Sequence, residues 1–82
     1  MIKKSTNHYV LMSLRELHAQ SKKPTVRAIL AMVNDLQTQD GIPEEHVTKS
    51  TNTIFYHLNK LCEQDLAQQL SGTYYPIKQE TP

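Results

Sequence analysis

Asn52-Thr53-Ile54-Phe55-Tyr56-His57-Leu58-Asn59-Lys60-Leu61 is the stretch on which the fold turns. Ile54, Leu58, Leu61 and Cys62 recur at spacings of three and four, which gathers them on one face of a helix. Asn52, Tyr56, Asn59, Lys60 and Glu63 fall on the opposite, polar face. The periodicity predicts a helix over about 50–64, with Leu66 just beyond its end. Of the two adjacent aromatics, Phe55 is expected inside and Tyr56 outside.

Downstream of this helix, 66–70 and 73–78 are short β-capable segments around Ser71-Gly72, a two-residue hairpin turn. Pro76 suits an edge strand. Tyr74 and Tyr75 point to opposite faces of their strand, so only one of them can be core. Upstream, periodicity fades from Thr38 to Lys49, where Asp40-Gly41 signals a turn and Pro43-Glu44-Glu45 can open one helical turn. Before that connector, Val26, Ile29, Leu30, Val33 and Leu36 mark a helix over about 25–37, capped by Thr25. Val10, Leu11, Leu14, Leu17 and His18 mark another over about 6–20, with Ser5, Thr6 or Asn7 as cap. The reading is a mainly α domain with a small β-hairpin, one domain over 1–82.

Length and composition narrow the function. Eighty-two residues hold one small domain, which buries too little surface to be robust without close packing, a staple or a partner. The single cysteine, Cys62, forms no internal disulfide and excludes a four-cysteine zinc site. The four histidines, His8, His18, His46 and His57, follow no ligand spacing. No apolar run approaches the roughly 20 residues of a membrane span, and mean hydropathy is −0.56. The chain therefore reads as soluble and cytoplasmic, with no membrane role, cofactor or metal. Two separated glycines cannot build a phosphate loop, and Glu44 and Glu45 are adjacent rather than facing. Cys62 lies on the apolar stripe, and no histidine of the same helix is placed to activate it, so the chain is not expected to be an enzyme.

Three helices followed by a hairpin is the layout of winged helix-turn-helix proteins. The run Asn52 to Leu61, continued by Asp65-Leu66 and Gly72-Thr73-Tyr74-Tyr75, resembles the recognition helix and wing of bacterial and archaeal winged helix-turn-helix transcriptional regulators. Thr53, Ile54, Leu58, Leu61 and Leu66 fit the places where that family has a threonine, a β-branched residue, a leucine pair and the hydrophobic residue opening the wing. The resemblance covers 50–78, and the first two helices agree in length and periodicity. Asp65 stands where the family often has glycine, and the connector 38–49 is longer than the tight turn of a simple helix-turn-helix.

The resemblance implies binding of double-stranded DNA, with the third helix in the major groove and the wing on the backbone or minor groove. Ser50, Asn52, Thr53 and Tyr56 are then the base-facing residues, Asn52 having the amide to pair with adenine. An alternative is that Asn52 and Thr51 only cap or begin the helix. Lys49, His57 and Lys60 would meet phosphate, His57 from the edge of the buried stripe. Ser71, Thr73 and Tyr74 would serve from the wing. Lys22, Lys23 and Arg27, the densest basic group, lie at the start of the second helix and would anchor phosphate there, with Lys3 and Lys4 as an arm. A homodimer is expected, with Tyr9, Met12 and the C-terminal segment at its contact.

The net charge of +1 hides an asymmetry. Residues 1–42 carry six basic and three acidic side chains, and residues 43–82 carry three and five. The expected reading half is thus net negative, the reverse of the usual bias of DNA readers. That favours the rival function of a winged-helix module for a protein partner. A positive surface continuous from Lys22 and Arg27 across Lys49 and Lys60 would favour DNA, and a broken or apolar face would favour a protein partner.

Overall fold

The computed structural model describes residues 5–77, which form three helices and a two-stranded antiparallel hairpin. The elements are α1 (Thr6–Ala19), α2 (Val26–Gln39), a 3-10 turn (Glu44–His46), α3 (Thr51–Glu63), β1 (Ala67–Leu70) and β2 (Thr73–Pro76). Lys3, Lys4 and Lys78 lie outside the described residues.

Each α-helix starts on a hydroxyl. Ser5 Oγ accepts from the His8 N–H, Thr25 Oγ1 from the Ala28 N–H and Ser50 Oγ from the Asn52 N–H, each at 3.2 Å. These bonds satisfy amides that no helical carbonyl reaches. Each helix also ends the same way. The N–H groups of Ser21 and Lys22 return to the carbonyls of His18 and Leu17, those of Gly41 and Ile42 to Thr38 and Gln37, and those of Asp65 and Leu66 to Cys62 and Leu61. This paired closure requires a left-handed residue after the helix, and Ser21, Gly41 and Asp65 have φ of 58°, 80° and 58°. Only one of the three is glycine.

Between the helices the core is continuous. Tyr9, Val10, Leu14 and Leu17 of α1 meet Ile29 and Val33 of α2 and Ile54, Leu58 and Leu61 of α3, closed at one end by Ala67 and Tyr74. His18, expected on the α1 stripe, is exposed, and its ring lies edge-on to Tyr75, centroids 6.2 Å apart. Phe55, expected inside, is 44% exposed, because Ile54, Leu58 and Leu61 take the inward stripe and Phe55 lies about 100° around the helix from Ile54.

The second helix runs two residues beyond the expected end, and its last turn holds the connector. Gln37 is buried, and its Oε1 accepts the buried Thr48 N–H at 2.8 Å. Asn34 Nδ2 donates to the Thr48 carbonyl at 3.4 Å. Two side chains of α2 thus fix the backbone three residues before α3 begins. Tyr9, expected at a dimer contact, is instead 3% exposed, and its hydroxyl donates to Asp40 Oδ2 at 2.8 Å.

The hairpin pairs Ala67 with Pro76, Gln68 with Tyr75, Gln69 with Tyr74 and Leu70 with Thr73. Its loop residues Ser71 and Gly72 have φ of 51° and 80°, positive at both central positions as a type I′ turn requires. Alternation sends Tyr74 inward and Tyr75 outward. The Tyr74 N–H also donates to the Pro24 carbonyl at 3.2 Å, tying the hairpin to the α1–α2 loop.

Candidate nucleic-acid interface

The outward face of α3 presents Asn52, Tyr56, Asn59, Lys60 and Glu63, all exposed. Ser50 supplies the helix cap, so the Asn52 side chain has no capping role. Lys60 Nζ lies 5.0 Å from the centre of the Tyr56 ring, a cation–π contact that steadies both side chains. The Tyr56 hydroxyl beside it raises the Lys60 ammonium above its ordinary value. Thr53 is half-buried beside that face.

His57 belongs to the packing between helices. It is half-buried, with Nδ1 3.2 Å from Asn7 Oδ1 of α1. Burial, and secondarily the charge of Lys60, lowers its pKa below 6.5. Its contact with Asn7 ties His57 to α1, so it presents less of its ring outward than the exposed Lys60 does of its side chain.

Arg27 and Lys49, far apart in sequence, converge on one cleft of about 510 Å³ between α2 and the start of α3. Leu30, Ala31, Asn34 and Thr51 complete its wall together with Asp35, so the cleft carries both signs of charge. Lys49 Nζ also stands 3.8 Å from Glu44 Oε1, but at 59% and 92% side-chain exposure this pair is weak and does not neutralise the lysine. The basic group at the start of α2 is divided by the fold. Lys22 and Lys23 turn instead to a hollow of about 230 Å³ with His18, Ser21, Pro24 and Tyr75, beside the base of the hairpin.

The hairpin's contribution differs from expectation. Tyr74 is 3% exposed and belongs to the core, so its ring cannot contact a ligand. Burial raises its pKa, with a smaller effect from Cys62, whose own thiol is raised by burial and so stays protonated. Thr73 is half-buried, its hydroxyl donating to the Leu70 carbonyl at 2.8 Å and lying 3.0 Å from the Tyr75 hydroxyl. The outward surface is left to Gln68, Gln69, Leu70 and Ser71. No charged side chain occurs from 66 to 77.

Gln37 and Asn34, which position the start of α3, escaped the sequence reading. Gln37 continues the Ile29–Val33 spacing of four, and an amide on a buried stripe was the available signal. Among the described residues no group of three His, Cys, Asp or Glu side chains could hold a metal, and no helix is long and apolar enough to cross a membrane. No protein-family model, curated protein or solved structure matches the chain.

Proposed function

We propose that the chain is a small winged helix-turn-helix regulator that binds double-stranded DNA, with α3 in the major groove and the hairpin as wing. The observation that carries this reading is the convergence of Arg27 and Lys49 on one cleft at the start of a helix whose outward face is polar. Asn52, Thr53 and Tyr56 read base edges from that face, and a bidentate Asn52–adenine pair is worth about 1 to 3 kcal/mol of discrimination. Lys22, Lys23, Arg27, Lys49 and Lys60 contact phosphate. With Asp35 and Glu44 close to two of these cations, affinity rests on a few separated contacts, and two copies on a two-fold or repeated site supply the remainder.

Selection of bound sequences from a random duplex pool, repeated at several salt concentrations, tests the reading. Five phosphate contacts give a slope of log affinity against log salt of about −4 to −5 per subunit. Asn52→Ala relaxes one base preference, whereas Lys60→Ala weakens all sequences alike and flattens the slope by about 1.

A protein-interaction module on the same fold is the second reading. It is favoured by the separation of Lys22 and Lys23 from Arg27 and Lys49, by a hairpin without charge and by exposed Leu70 (56%) and Phe55 (44%). Absence of both sequence enrichment and salt-dependent duplex binding would replace the first reading with the second.

A further inference from the structure

A second surface lies between α1 and α2. Met12 of α1 and Met32 and Leu36 of α2, all half-buried, line a groove of about 300 Å³. Glu16 and Asp35, both exposed, also line it, and no lysine or arginine does. Gln20 Nε2 donates to Glu16 Oε1 at 2.9 Å, which holds that carboxylate in place. Among the described residues neither Glu16 nor Asp35 is in an ion pair.

We propose that this groove docks a lysine- or arginine-bearing amphipathic helix of a partner protein. Two unbranched methionines make an adaptable apolar floor, able to repack around large aliphatic anchors presented at i, i+3 and i+4. The two carboxylates choose the partner's sign, because each meets a cation at the groove edge and repels an acidic helix. A second copy of the chain fits poorly. A two-fold contact through this groove would bring two copies of a patch that holds two carboxylates and no cation together, with no opposite charge to offset them. The expected dimer contact at Met12 is therefore reassigned to a different protein; Asp35 lines both this groove and the Arg27–Lys49 cleft, whereas Met12, Glu16 and Met32 line the groove and not the cleft.

The test uses the whole chain with 13C-labelled methionine methyl groups and two synthetic 14-residue helical peptides. One peptide has leucines on one face and lysines on the other, and its counterpart has glutamates in place of the lysines. The lysine peptide is expected to shift the Met12 and Met32 methyl signals and to bind at least about tenfold more tightly than the glutamate peptide, a difference of about 1.4 kcal/mol. In the exposed double variant Glu16→Lys/Asp35→Lys, whose folding is checked by circular dichroism, the preference inverts. Equal affinity for both peptides, shifts confined to other residues, or a preference unaffected by the charge reversal overturns the proposal. So does a concentration-dependent shift of the two methyl signals without peptide, which would assign the groove to a second copy. None of these outcomes depends on DNA binding.

Discussion

Replacing Gln37 by methionine removes one acceptor from the core while keeping the length and flexibility of the side chain. In the native protein Gln37 is 3% exposed and takes the Thr48 N–H at 2.8 Å. Thr48 is itself 9% exposed, so water cannot readily replace the lost partner. A buried donor left without an acceptor costs roughly 1 to 3 kcal/mol, more than the bond's net contribution. For a domain of this size each kcal/mol lowers Tm by about 4 to 8 °C, so Gln37→Met should fall by on the order of 5 to 20 °C. Thermal unfolding followed by circular dichroism measures the loss. Amide hydrogen exchange locates it: the Thr48 amide loses protection first, while Val10 and Leu58 in the core keep theirs. Gln37→Glu keeps an acceptor but buries a charge, which raises the carboxyl pKa in the folded state. Its stability relative to native therefore improves as pH falls through that raised value and worsens as pH rises. A drop of less than about 2 °C for the methionine variant, or an unchanged Thr48 exchange rate, would refute the assignment of Gln37 as the clamp on the connector.

Four further variants are open to stability measurements. A Cβ at Gly41 would meet nothing within 4 Å, so Gly41→Ala should cost only the left-handed backbone, a net of roughly 1 kcal/mol after the stiffer unfolded chain is counted. Asp65→Gly should move the other way by roughly 0.5 kcal/mol, and denaturant titration of both variants decides whether the helix closures behave alike. Because burial lowers the His57 pKa from 6.5, its contribution is complete above that pH and is lost as pH falls through the lower folded value. Tm against pH should therefore bend downward below 6.5, and less so in His57→Gln. Burial, reinforced by Asp40, raises the Tyr9 pKa, so its contribution is complete below pH 10 and is lost as pH rises through the folded value. Tyr9→Phe should reduce that alkaline loss and cost about 0.5 to 1.5 kcal/mol at neutral pH, read from denaturant midpoints.

The helices were legible because each carries a single apolar stripe and starts after a hydroxyl residue; Thr25 reads as a cap from sequence alone. Ser71-Gly72 was likewise readable, since a serine and a glycine between two short β-capable runs leave few other turns. What escaped depends on contacts between elements. Phe55 looks like core by composition, yet its angle on α3 leads away from the stripe. Either Tyr74 or Tyr75 could have faced inward until the register with Ala67 chose. Lys22, Lys23 and Arg27 are neighbours in sequence, but the α1–α2 loop sends the first two to the hairpin side and the third to the cleft beside α3. Gln37 gave a signal that composition alone undervalues, because an amide on a buried stripe reads as an error until its partner, eleven residues away, is in place.

The bond from the Tyr74 N–H to the Pro24 carbonyl spans fifty residues, as does the contact between His57 and Asn7. Helices form locally and fast, whereas such closures must first overcome the entropy of bringing distant segments together. During synthesis, α1 and α2 therefore emerge with Pro24 still waiting for its strand. The core cannot close until the hairpin is in place, so a segment made after all three helices governs when α1 becomes resistant to proteolysis.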